Sequence, residues 1–175
     1  MAILAAGLIN VYLSIDAYLT ANMVNADGSA ISLRLHGVRR FVPPTSDPWI
    51  EAHYDFLGLQ NEFRNRDGMG TGVPILATEK SGYLQLNLYQ RAINFTQRYL
   101  TSTIRDTVVA VFPEGGLIPI AHYDGLAFEG TPAPEGWVVI DGVQEHVQDT
   151  AIHSGVIQHI LRIATRYIEL YSRDV

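Results

Sequence analysis

From Tyr83 to Tyr89 apolar and polar residues alternate: Leu84, Leu86 and Leu88 are separated by Gln85 and Asn87. That period of two marks a strand with one face on a core. The period then changes. Phe95, Tyr99, Leu100, Ile104, Val108, Val111 and Phe112 fall on one stripe of a helix beginning near Ala92. Pro113-Glu114-Gly115-Gly116 stops it. Earlier in the chain, Leu8, Val11, Tyr12, Ile15, Tyr18 and Leu19 predict an amphipathic first helix. Asn25-Ala26-Asp27-Gly28 reads as a turn, and Ile31, Leu33 and Leu35 as a strand. Pro43, Pro44 and Pro48 hold the next stretch extended. Trp49–Leu57 is a second strand, with Ile50, Ala52, Tyr54 and Phe56 on one face and Glu51, His53 and Asp55 on the other.

Gly58 to Ser81 has no sustained period and predicts a projecting loop or arm over 58–80, or a hairpin between two strands. Leu117–Ile120 is a short strand. Residues 121–154 read as a loop plus hairpin insertion, with Asp141-Gly142 as the turn. Val156 to Tyr171 fits a strand or a helix; its β-branched and aromatic residues and the preceding Ser154-Gly155 favour a strand. The expectation is an α+β fold in one domain over 1–175. Its sheet is mixed and mostly antiparallel, flanked by an N-terminal helix and one long central helix.

Composition narrows the function classes. Charged residues are 17% of the chain, against about 25% in an average soluble domain, while apolar residues are 47%. A surface short of charge suits protein contacts; a monomer with a neutral polar surface is the plainer alternative. The net charge of -6 and the lack of any basic run argue against nucleic-acid binding as the main function. Cysteine is absent, which removes disulfides, thiolate nucleophiles and Cys-zinc sites. The N-terminal apolar stretch carries no Lys or Arg before Arg34 and is interrupted by Asn10 and Asp16. It therefore predicts neither a signal peptide nor a membrane span, and a soluble protein made in the cytosol is expected.

The search for chemistry is thin. Gly68-Met69-Gly70-Thr71-Gly72 is followed by Pro74 rather than a helix, so a loop is favoured over a phosphate cradle. His53-Tyr54-Asp55 and His122-Tyr123-Asp124 would make a metal site only if they met; alternation on a strand favours a solvated face. Glu129 and Glu135 flank a Pro-rich loop and are weak candidates for paired carboxylates. No nucleophile elbow is present. Asn94-Phe95-Thr96 is a glycosylation sequon by pattern, but Phe95 falls on the apolar stripe. No catalytic, cofactor or metal residue is assigned.

Four stretches carry a resemblance: the N-terminal helix; Arg39 to Leu57 (RRFVPPTSDPWIEAHYDFL); Ser81 to Phe112, a Gly-led strand followed by a helix; and Ile157 to Leu170 (IQHILRIATRYIEL). In this order they resemble the tail-terminator (tail-tube completion) proteins of long-tailed bacteriophages. The resemblance implies a virion protein that forms a hexameric ring. One ring face would cap the tail tube protein and end its polymerisation. The other would join the head-side connector or stopper protein. DNA would pass through the pore without specific binding, and no enzyme activity, cofactor or membrane contact is implied. The insertions at 58–80 and 121–154 depart from a minimal member of that family.

Two alternatives stand beside it. One is another neck, head-tail joining or tail tube component. The other is a small hydrolase or ligand-binding domain with Glu51, His53 or Asp55 beneath the Gly58–Ser81 loop. In the assembly reading the same loop reaches a neighbour. Arg64, Arg66 and Asp67 then make polar contacts, and Phe63 and Met69 act as anchors; a mobile loop is the competing reading.

Overall fold

The computed structural model describes residues 2–5, 7–25, 27–45, 47–56, 60–65, 75–91, 100–124, 127–128, 136–148 and 155–172. Its elements in chain order are β1 (Ala2–Ala5), α1 (Leu8–Asn22), β2 (Ser32–Arg34), β3 (Trp49–Asp55), β4 (Gln60–Asn65), β5 (Ile75–Arg91), α2 (Leu100–Val111), β6 (Leu117–Ile120), β7 (Tyr123–Asp124), β8 (Ala127–Phe128), β9 (Gly136–Gln148) and β10 (Val156–Ser172). The fold mixes helices with one mixed sheet of order β2-β3-β5-β10-β9-β6; β1 pairs with β10 and β4 with β5. The β2–β3 pair is parallel and the other described pairs are antiparallel.

The two seventeen-residue strands, β5 and β10, are paired along their whole length, from Val156 opposite Arg91 to Ser172 opposite Ile75. Each spans roughly 55 Å. Four strands attach to their outer edges: β3 and then β4 along β5, β9 and then β1 along β10; β2 and β6 extend the sheet beyond β3 and β9, and β7 pairs with β8 in a separate two-stranded sheet. The register sets Leu84 opposite Ile163 and Leu86 opposite Leu161. Together with Ile50, Ala52, Tyr54, Ile118, Val138 and Ile140, these side chains make one buried cluster under the helices. From α1 come Val11, Ile15 and Leu19, one stripe at a spacing of four; from α2 and its end come Ile104, Val108 and Phe112. Val111 is half-buried against the same cluster.

Several expectations need correction. The described central helix is the twelve-residue α2, shorter than α1; Phe95 and Tyr99 lie outside the described residues. Of the two readings of 58–80, the described parts fit the hairpin and not the loop: residues 60–65 pair antiparallel with 75–80, and the strand beginning near Tyr83 starts instead at Ile75. Asp141-Gly142 is not a hairpin turn. Residues 136–148 are one strand, and Ala164 pairs Gly142 while Thr165 pairs Ile140, leaving Asp141 as a bulge. Nor are residues 136–148 an insertion beside the sheet: β9 lies between β10 and β6, with Val138 and Ile140 in the core. Leu8 is exposed rather than on the buried stripe. β10 is a strand throughout. Gly115, with a positive φ of 76°, donates its N–H to Ile140 O at 2.8 Å and ties the end of α2 to β9.

Gly82 of β5 lies against the backbone at the end of β3. A Cβ placed there would sit 2.1 Å from Asp55 O and 2.6 Å from Phe56 Cα, both backbone atoms. Gly82→Ala must therefore move backbone in the middle of the sheet. It is expected to lower the unfolding free energy in urea titrations by about 3 kcal/mol; a loss below about 0.5 kcal/mol would show that the end of β3 does not approach Gly82 so closely.

Candidate assembly interface on the open face of the sheet

One face of the sheet is covered. α1 is held on it from three sides. The Tyr54 hydroxyl, from β3, donates a hydrogen bond to the Asp16 carboxylate. The Tyr12 ring packs 5.4 Å from Tyr54 and 5.6 Å from His36, which in turn stacks on Tyr54 and accepts its backbone N–H through Nδ1. Toward β6, Ser14 Oγ accepts the Ala121 N–H at 2.9 Å. Toward α2, the Tyr18 hydroxyl donates to Val111 O at 3.0 Å. α2 is fastened at the sheet margin by Arg105, which donates to Glu145 of β9 at 2.8 Å. Burial pushes the Asp16 carboxyl above the ordinary aspartate range, partly offset by the Tyr54 bond and by His36. Burial and Asp16 together push the Tyr54 phenol far up, so it remains a donor.

The other face carries no described helix, and both tryptophans of the chain project from it. At the β3 side a polar network is already made. Arg34 pairs with Glu51 at 3.1 Å. Trp49 donates to the same carboxylate at 3.3 Å and stacks on Tyr89 at 5.2 Å. The Arg91 guanidinium lies 6.0 Å from the Trp49 ring centre. Further along, Gln158 donates to the Tyr89 hydroxyl, Gln85 to Asn87, and Arg162 to Gln85. Burial, then Glu51, raises the Tyr89 phenol pKa, against Asn87 and Arg34.

At the β9 and β6 side the same face turns apolar. Leu117, Trp137 and Ile168 are 52%, 45% and 51% exposed, beside half-buried Val139. Trp137, Val139 and Ile168 line a hollow of about 240 Å³ with Glu79 and Arg166 at its rim. Arg166 donates to Asp141 at 2.9 Å and lies 3.7 Å from Glu79. Exposed aromatic and aliphatic side chains beside an arginine, on a rigid sheet, are the composition of a contact surface. Nothing in this arrangement aims a nucleophile, base and acid at one point.

The residues singled out from sequence fall elsewhere. Arg66, Asp67 and Met69 lie outside the described residues, as do Gly68–Gly72, Glu129 and Glu135. Phe63 and Arg64 belong to β4, which places their backbone on the edge of the β4–β5 hairpin. Glu51, His53 and Asp55 do not converge: they stand in a row along β3, Glu51 already paired with Arg34. The two His-Tyr-Asp triplets belong to different sheets: His53-Tyr54-Asp55 lies in β3, whereas Tyr123 and Asp124 form β7, which pairs with β8. Among the described residues no three His, Asp or Glu side chains group as metal ligands, and no helix is long and apolar enough to cross a membrane. The apolar patch was missed because its members are distant in sequence; the one signal was Trp137 and Val139 alternating with buried Val138. No protein-family model and no curated protein matches this chain.

Because the fold raises the Asp16 pKa, the ionised carboxylate lowers stability. That penalty is absent below the ordinary carboxyl range, where Asp16 is protonated folded and unfolded, and grows as pH rises through the folded value. Asp16→Asn keeps an acceptor for Tyr54 and removes the buried charge. It is expected to be more stable than the parent chain at neutral pH, with the difference shrinking as pH falls from the raised Asp16 value towards about 4 and gone below that. Urea titrations across pH check this; a variant less stable at neutral pH than at acid pH, relative to the parent, would contradict it.

Proposed function

We propose that this protein is a structural assembly component that works through its surfaces: a ring-forming tail terminator of a long-tailed bacteriophage. The observation that carries the reading is the two-sided sheet, helices on one face and, on the other, a face that carries no described helix and exposes Trp137, Leu117 and Ile168. An assembly protein needs such a preformed surface, since little ordering entropy is then lost on docking. The order of elements that prompted the resemblance supports it: first helix, strand after a proline corner, long strand, helix, closing strand.

In this reading identical copies associate head to tail and close into a hexameric ring. One ring surface matches the growing end of the tail tube. The surface above it does not match a further tube subunit, so addition stops, and the head-side connector or stopper binds there instead. Catalysis is not part of the mechanism. The acidic net charge of -6 would limit phosphate sticking as DNA passes. The protein would be made in the host cytoplasm and reside in the virion neck.

The test is assembly. Native mass spectrometry and negative-stain imaging of the full chain, alone and with tail tubes, are expected to give closed rings. Deleting the gene is expected to give overlong tubes. Trp137→Glu should stay folded, because the residue is half-exposed, while self-association weakens about tenfold or more. A chain that stays monomeric at high concentration and ignores tube ends would end this reading.

A further inference from the structure

Building on the ring reading above, we propose that the segment Val38–Pro44 of one copy docks in the Trp137–Ile168 hollow of the next copy, and that this contact closes the ring. The segment is part of the connection that returns the chain from the end of β2 to the start of the parallel strand β3. It holds Arg39, Arg40, Phe41, Val42, Pro43 and Pro44. Val42 is 90% exposed and Val38 is 40% exposed. Arg39 and Arg40 are exposed, and their guanidinium groups have no ion pair or hydrogen bond among the described residues.

The segment is also held in place. Arg34 Nε donates to Val38 O at 3.1 Å, and Arg91 Nε donates to Pro44 O at 3.2 Å. Both arginines belong to the open face. An extended, proline-bearing segment tied at both ends is presented with most of its conformational freedom already lost, which lowers what docking must overcome.

The receiving hollow has the matching chemistry. Trp137, Val139 and Ile168 form its apolar wall, and an exposed tryptophan beside an aliphatic trough is the kind of groove that takes extended proline-containing chain. Glu79 and Arg166 line it, and Arg166 is shared between Glu79 and Asp141, which adjoins the hollow. This group of two carboxylates and one guanidinium carries one net negative charge, and in the docked arrangement it meets Arg39 and Arg40 of the incoming segment.

Placement decides the symmetry. The segment flanks β2 at one margin of the sheet, and the hollow lies on β9 and β10 toward the other. With strands about 4.8 Å apart, β2 and β9 are separated by roughly 19 Å. The two surfaces differ and sit at opposite margins, so the contact is head to tail and repeats from copy to copy until it closes.

The chain has no cysteine, which permits a direct test. The full chain carrying Val42→Cys and Ile168→Cys, oxidised mildly, is expected to give a reducible ladder ending at the closed ring. An equal mixture of the two single variants should give dimer and nothing larger. Val42→Cys with Asp106→Cys, an exposed position on the helix layer, is the control and should stay monomeric. Arg39→Glu with Arg40→Glu should weaken association about tenfold, more at low salt. Cross-linking no better than the control, or unchanged association in the arginine variant, while the parent chain still forms rings, overturns this contact and leaves ring assembly standing. A parent chain that never assembles overturns both.

Discussion

The β5–β10 ladder is the constraint on which the rest of the molecule depends. Seventeen consecutive pairs fix which side chains face the helices. A slip of one residue would turn Leu84, Leu86 and Leu88 outward and bring Tyr83, Gln85 and Asn87 into the core. Every other strand of this sheet is attached, directly or through a neighbour, to one of these two edges. The α1 and α2 stripes meet a core only because this register is kept.

That ladder joins segments some seventy to a hundred residues apart, so the core forms through non-local contacts and its loop closure precedes its reward. The reward is a sheet with two unlike faces. On the covered face Tyr54, Asp16, Tyr12 and Ser14 fasten α1 from both flanks. On the open face, hydrogen bonds and stacking lock the polar side chains in place, and the apolar residues gather at the β9 margin. Rigidity behind and complementarity in front are what a ring subunit requires, and the proposed function draws on both.

The parts legible in the sequence were those with local period. The alternation about Leu86, the α1 residues Val11, Ile15 and Leu19, and the α2 residues Ile104 and Val108 carry their own signal. The first part of β5 did not. Thr78 and Lys80 replace leucines there, and Lys80 instead lies 3.6 Å from Glu169 of β10, so apolar alternation was lost although the strand continued. Asp141-Gly142 carries the residues of a hairpin turn, and only the neighbouring β10 reveals a bulge; Gly142 has a φ of 154°. The parallel pairing of β2 with β3 and the meeting of Trp137 with Ile168 are facts of topology, with no trace in local pattern. For the same reason the sequence pointed to the 58–80 arm and not to the apolar patch.

The central claim is that this protein acts by covering its open face. The most direct measurement is acrylamide quenching of tryptophan fluorescence, read alongside sedimentation velocity from dilute monomer to assembled particle. Trp49 is buried already, so the change reports on Trp137. The account predicts that quenching falls and emission shifts to the blue as particles form. Assembled particles whose tryptophan is quenched as readily as in the monomer would contradict it.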